Sequence, residues 1–160
     1  MALPEKLTLE IVTPERRVVS ETVDEVVLPG REGYLGVLPG HAPFLTSLKI
    51  GQVEYRTGKE THLLSLAWGF AEVLPEKVTI LAEIAERADE IDLERARAKK
   101  DEIEHRMKGA GPEFDFASAQ ASLEKAIVRI EVATRFKPLP GEPTRRVPRA
   151  GRTHAEEPGE

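Results

Sequence analysis

The chain has 160 residues, of which 40% are hydrophobic and 32% charged, and its formal net charge is -5. This acidic balance gives no reason to expect nucleic acid or an anionic membrane surface as a direct partner. Because the chain has no cysteine, disulfides, thiolate metal sites and a cysteine nucleophile are excluded.

The composition also argues against a membrane span and against catalysis. No run approaches the ~18 consecutive apolar residues that a spanning helix needs, and the first residues lack the apolar stretch of a signal peptide. The four histidines are scattered, without the spacing that metal sites use. We therefore expect a soluble, non-catalytic protein without a metal site, and any relation to a membrane to be peripheral.

The first half of the chain predicts many short β-strands. Residues 7–11 and 52–56 alternate apolar and polar side chains, which is typical of antiparallel strands with one buried face. Further β-rich runs follow at close spacing, without a helical pattern between them. This predicts an all-β flattened sandwich or barrel over residues 1–85. Trp68 and Phe70 share one face of a predicted strand, and we expect both to lie in the core.

Residues 28–45 contain glycine and proline at close intervals and predict a shaped loop between strands. A phosphate-binding loop would need a following Gly-Lys-Ser/Thr and a helix, and both are missing. His41 lies inside this segment. Two interpretations of it stay open, a turn histidine that bonds to backbone and a direct partner contact.

The pattern changes at residue 86, where acidic and basic residues become frequent and indicate solvated helices. Asp92 and Asp115 are predicted N-caps, and the glycines and proline of residues 109–112 separate the helices. This predicts an antiparallel two-helix hairpin over residues 86–137, followed by a disordered tail rich in proline and arginine over residues 138–160.

The predicted hairpin has only a narrow apolar seam, so its packing is marginal against the cost of ordering it. Such an element changes partners at low cost, although a static packing or dimerisation hairpin fits the same pattern. The helix start at Asp92 also favours an anion, to which Arg95, Lys125 and Arg129 could converge. A solvated helix start is the alternative.

Two motifs carry a resemblance to a known family. Residues 29–43 read Pro-Gly-x-x-Gly-x-x-Gly-Val-Leu-Pro-Gly-His-Ala-Pro, and residues 91–96 read Ile-Asp-Leu-Glu-Arg-Ala. Over residues 5–137 the chain resembles the epsilon subunit of F-type ATP synthases, called delta in mitochondria. The resemblance implies a non-catalytic rotor subunit of the central stalk that couples c-ring rotation to proton-driven ATP synthesis and restrains ATP hydrolysis. It also implies a peripheral position on the cytoplasmic side of a bacterial plasma membrane.

The same resemblance implies three partners, the gamma subunit, the c-ring and the catalytic beta subunits. It places Glu32, Tyr34 and His41 in the loop that contacts the c-ring and gamma. In the family, an extended hairpin presents basic residues of its second helix to an acidic loop of the beta subunit. Here the available charges are Lys125, Arg129, Arg135 and Lys137.

Some bacterial members of that family bind ATP in the folded-down hairpin. Matched by motif, the site would use Glu86, Ile91, Asp92, Arg95 and Arg129. Where those members have another arginine, this chain has Lys125, which cannot make a bidentate phosphate contact. We therefore expect weak regulatory ATP binding or none, and no other cofactor. A free-standing ATP-sensing module is the alternative function, and a sandwich enzyme acting on sugars or using a metal is the third.

Overall fold

The computed structural model describes residues 2–136, so Lys137 and the predicted tail 138–160 lie outside the described residues. Eight strands precede a 3-10 turn and two helices. Their bounds are β1 (Leu7–Val12), β2 (Arg17–Val23), β3 (Glu25–Gly30), β4 (Gly33–Val37), β5 (Phe44–Leu48), β6 (Gly51–Thr57), β7 (Glu60–Val73), β8 (Lys77–Arg87), the 3-10 turn (Ala88–Glu90), α1 (Leu93–Lys108) and α2 (Phe116–Arg135).

All the strands belong to one sheet that folds over itself into two layers. Its order is β2-β1-β8-β7-β5-β3-β4, and β6 pairs with both β3 and β7. Strand β7 is shared between the layers, because its first part pairs with β6 and its second part with β5. Strand β1 pairs antiparallel with β2 but parallel with β8.

The sheet bends between the layers at Trp68 and Gly69. Leu64 and Leu66 face the core before the bend, whereas Ala71 and Val73 face it afterwards, so the inward side changes from even to odd positions. Trp68 has a φ of 54° and Gly69 a φ of 149°, which break the strand alternation. A side chain at Gly69 would place its Cβ 2.0 Å from the Leu81 carbonyl oxygen. The bend therefore requires glycine at this position.

All eight strands contribute buried side chains to the core between the layers, among them Leu9, Leu64 and Ile80. The prediction that Trp68 and Phe70 lie in this core is wrong, because they are 36% and 60% exposed. The physical reason is the bend, which leaves both side chains outside the two layers. The predicted segment 28–45 also differs, because it contains the regular strand β4 paired with β3.

The predicted fold class, a β-sandwich followed by a helical hairpin, is confirmed. Both predicted N-caps are present, since the Asp92 and Asp115 carboxylates accept hydrogen bonds from the Arg95 and Ser118 backbone N–H groups, each at 3.1 Å. Only Ala96 and Ile103 of α1 are fully buried, which confirms the narrow seam. Within residues 2–136, neither helix is long and apolar enough to cross a bilayer.

Candidate functional site

The helical hairpin docks on the sandwich through one face of α2. At the centre of the contact is a small apolar cluster in which buried Leu63, Ala88 and Val132 meet partly buried Ile91 and Val128. These side chains come from β7, the 3-10 turn, the segment before α1, and α2. The apolar part of the interface is therefore small compared with the core of the sandwich.

Charged side chains surround that cluster. The Arg129 guanidinium donates through Nε at 2.6 Å and Nη2 at 3.2 Å to the Glu86 carboxylate at the end of β8. One turn and a half further along α2, Arg135 donates to the Gln52 side-chain oxygen at 2.7 Å and to Glu54 at 3.1 Å. Gln52 in turn donates to Glu131 at 3.0 Å. Arginine thus joins the helix to two different strands.

Lys125 completes this row of cations on α2. Its Nζ lies 4.9 Å from the centroid of the Trp68 ring, within the range of a cation–π interaction. Beside it a cavity of about 290 Å³ separates α2 from the sandwich, and its lining includes Lys99, Ser122, Lys125, Arg129 and Glu86. The site can therefore attract an anion, but the arginine that lines it, Arg129, is already paired with the Glu86 carboxylate.

The predicted ATP residues have different surroundings in the structure. Glu86 and Arg129 are bonded to each other and line the cavity. Asp92 caps α1 and Ile91 packs on the apolar cluster, and neither they nor the exposed Arg95 is among the cavity's lining residues. The structure thus brings two of the five together at the cavity. ATP binding by this set stays a prediction.

The residues predicted to contact the c-ring and gamma lie on the glycine-rich segment, Glu32 and Tyr34 around the start of β4 and His41 beyond its end. Glu32 is exposed in the β3–β4 turn, and Tyr34 is 62% exposed, although its hydroxyl accepts a hydrogen bond from the Gln52 backbone N–H at 3.1 Å. His41 Nδ1 lies 2.7 Å from the Ala42 carbonyl oxygen, as the turn-histidine interpretation expects. A partner contact by these three side chains stays a prediction.

A second surface is formed by exposed apolar side chains on the outer face of the other layer. Phe70 pairs with Leu81 across β7 and β8, and Leu45 lies on the neighbouring β5 on the same side. These residues, the outer apolar patch, are 70% (Leu45), 60% (Phe70) and 56% (Leu81) exposed. Clustered exposure of large apolar side chains is typical of a protein-interaction surface.

Sequence reasoning missed the group of polar contacts that fixes the start of the hairpin. Arg87 donates to Glu21 at 3.1 Å, to the Tyr55 hydroxyl at 3.2 Å and to the Val18 carbonyl at 3.0 Å. Burial raises the pKa of Tyr55 to about 12, so this hydroxyl stays protonated. Next to it, the hydrogen bonds from Arg16 hold the pKa of Glu90 below its ordinary value. A single arginine at a strand end carries no periodic signal that could have revealed this group.

Comparison with known proteins agrees with both parts of the structure. Residues 6–88 match the family of the ATP synthase delta/epsilon chain β-sandwich domain, and residues 89–134 match that of the ATP synthase delta/epsilon chain long α-helix domain. The ATP synthase epsilon chain of Syntrophobacter fumaroxidans is 50% identical over 82% of this chain and 98% of its own length. That of Citrifermentans bemidjiense is 52% identical over 82% of this chain and 96% of its own.

Solved structures give the same result. A chain of the Euglena gracilis mitochondrial ATP synthase, in an assembly that includes the c-ring, matches with a TM-score of 0.70 and 26% identity over 84% of each chain. A chain of the Tetrahymena thermophila mitochondrial central stalk and c-ring matches with a TM-score of 0.51 and 14% identity, over 83% of this chain and 97% of that one, which shows the fold alone. The chain therefore belongs to the delta/epsilon-chain family of ATP synthase subunits.

Proposed function

We propose that the chain is the epsilon subunit of a proton-translocating F-type ATP synthase, a non-catalytic part of the rotor. Curated relatives named ATP synthase epsilon chain match nearly their whole length, which supports this assignment. The observation that carries the mechanism is the contrast between a strongly packed sandwich and a hairpin held on it by ion pairs. The first is suited to anchoring and the second to switching.

We infer that the sandwich is the anchor of the subunit on the rotor. The outer apolar patch would bind the gamma subunit, because burying Leu45, Phe70 and Leu81 removes apolar surface from water. The segment with Glu32, Tyr34 and His41 would face the c-ring, an inference that rests on the match of residues 6–88 to the delta/epsilon-chain sandwich family. This arrangement would transmit c-ring rotation to the catalytic head, with the subunit peripheral on the cytoplasmic side of a bacterial plasma membrane.

The hairpin would be the regulatory element. When it leaves the sandwich, α2 would present Lys125, Arg129 and Arg135 to an acidic surface of the catalytic beta subunit and so restrain ATP hydrolysis. Lys137, the fourth predicted charge, lies outside the described residues. In the docked state all three described cations contact the sandwich. Docked and inhibitory states would therefore exclude each other.

Reconstitution tests this function. The full chain, or a version ending at Ile91, would be added to the catalytic complex depleted of its own epsilon subunit, and binding and ATP hydrolysis would be measured. The shorter version retains Arg87 and Glu90, which contact the sandwich, and every core residue. We expect both versions to bind and only the full chain to lower hydrolysis. Failure of both to bind would contradict the assignment, and equal hydrolysis with both would contradict the regulatory role.

The cavity lined by Lys99, Lys125 and Arg129 favours one alternative, a free-standing ATP-sensing module. That function predicts tight ATP binding by the isolated chain and no stable contact with gamma. We propose weak ATP binding or none, because a phosphate would have to displace the Glu86 carboxylate from Arg129. Calorimetry of the full chain and of Arg129→Ala distinguishes the two, since tight binding that the substitution abolishes would support the sensor.

A further inference from the structure

We propose that the ion pairs Glu86–Arg129 and Glu54–Arg135 form an ionic lock that holds the hairpin docked without any nucleotide. The proposal rests on the regulatory role of the hairpin given above and specifies what sets its resting state. In this chain the sandwich itself would supply the acidic acceptor for the cations of α2. Release of the hairpin would then be an exchange of one acidic acceptor for another.

The spacing along α2 supports the lock. Lys125, Arg129 and Val132 follow one another at intervals of four and three residues, and so do Val128, Val132 and Arg135. The two series share Val132 and form one stripe along the helix. Cations and valines share this stripe, and every one of the cations has a partner on the sandwich. The stripe therefore faces the surface of the sandwich rather than solvent.

The balance of contacts shows why the ion pairs decide the docking. In the interface the apolar cluster has three buried members, Leu63, Ala88 and Val132, and Ala126 is the other buried residue of α2. The Glu86 and Arg129 side chains are partly buried, where a charge-assisted, forked contact is worth more than an exposed ion pair. Removing one partner would leave the other charge partly desolvated and unpaired. We therefore expect loss of the Glu86 charge to shift the hairpin toward release.

The same geometry explains why a nucleotide is not needed. The guanidinium of Arg129 already uses Nε and Nη2 on the Glu86 carboxylate, so this edge of the guanidinium is not available at the same time to a phosphate or to an acidic surface of the beta subunit. The Glu86 carboxylate would also repel a phosphate in the adjoining cavity. Glu86 thus supplies the negative charge opposite Arg129 that an anionic ligand would otherwise supply.

The chain contains its own reporter for this lock. Trp68 is its only tryptophan and lies under Lys125 in the interface. Quenching of Trp68 fluorescence by acrylamide, a neutral quencher, would be measured on the full chain at low and high KCl, with and without Mg-ATP. The variants are Glu86→Gln, the charge swap Glu86→Arg with Arg129→Glu, and the control Glu104→Gln, which removes a carboxylate paired with Lys100 inside α1.

We expect Glu86→Gln to lower the docking equilibrium constant roughly tenfold, seen as stronger quenching, because a hydrogen-bonded charge is lost. High KCl should act in the same direction on the unmodified chain. The charge swap should restore protection, the Glu104→Gln control should match the unmodified chain, and Mg-ATP should change none of these values.

Two results would overturn the lock. One is equal quenching for Glu86→Gln and Glu104→Gln, and the other is a hairpin that protects Trp68 only when Mg-ATP is present. Both concern the isolated chain. If either occurs while the full chain still lowers ATP hydrolysis in the reconstituted complex, the lock fails and the proposed function stands. If the catalytic complex does not bind the chain, the function fails whatever the quenching shows.

Discussion

The sandwich and the hairpin are stabilised by different kinds of contact. In the sandwich, all eight strands bury aliphatic side chains in one continuous core. At the hairpin interface a few apolar side chains are surrounded by arginine and lysine contacts. Burial of apolar area depends little on salt, whereas ion pairs near the surface weaken with it. The molecule thus combines a part that opens only on global unfolding with a part that is able to open locally.

Among the tests of this comparison, a substitution at the bend in β7 has the largest expected effect on stability. In Gly69→Ala, the new Cβ would lie 2.0 Å from the Leu81 carbonyl oxygen, at a φ of 149°. Because backbone must move to relieve this clash, we expect a loss of about 4 kcal/mol or more in the free energy of unfolding. Urea unfolding followed by circular dichroism measures this loss.

The matched control for that substitution is Gly58→Ala in the β6–β7 turn, where φ is 62° and no atom lies within 4 Å of the added Cβ. It should cost only about 1 kcal/mol, the usual strain of an alanine at positive φ. Equal losses for the two alanine variants would show that the bend does not hold the layers together.

A second test compares one aliphatic side chain from each region. Ile80 is fully buried in the sandwich core, and Val132 of α2 is fully buried where the hairpin contacts the sandwich. We expect Ile80→Ala to lower the global free energy of unfolding by about 3 kcal/mol. Val132→Ala should cost about 1–2 kcal/mol, and only in hairpin docking. Hydrogen exchange separates the two effects, because docking loss exposes amides of α2 but not those of β8. Equal exchange in both regions would mean that they open as one unit.

The sequence was informative where a local pattern determines the structure. Alternation predicted the strands, and Asp92 and Asp115 were correctly expected to cap the helices because an N-cap acts within three residues. The position of Trp68 and Phe70 was not predictable in this way. Alternation assumes an unbroken strand, and the bend at Gly69 depends on how close β8 passes, which is a tertiary contact.

The candidate site, too, was predictable from the sequence only where the pattern is local. The pattern indicated that Lys125 and Arg129 share a face of α2, since four residues make about one turn. It did not indicate that their partners are Trp68 and Glu86, because these lie on strands that are distant in the chain. The stripe was also hard to identify, since Val128 and Val132 alternate with cations and so resemble a solvated helix face rather than a buried one.

The smallest expected effect concerns the junction of the two regions, where Arg16 pairs with Glu90 in the 3-10 turn. Hydrogen bonds from Arg16 lower the pKa of Glu90 from its ordinary 4.5. A carboxylate with a lowered pKa in the folded state stabilises the fold at neutral pH, and this contribution is lost as the pH falls below about 4.5 through the folded-state pKa. Because Arg16 remains about half exposed, we expect less than about 1 kcal/mol.

Urea unfolding of the unmodified chain and of Glu90→Gln at pH 7 and pH 3 measures this contribution as a difference. Other carboxylates with lowered pKa values, among them Glu10 and Asp24, titrate in both proteins and cancel. The gap between the two proteins should be present at pH 7 and become smaller at pH 3. A gap of the same size at pH 3 would show that Glu90 acts by packing rather than by charge, as the buried side chains of the sandwich do.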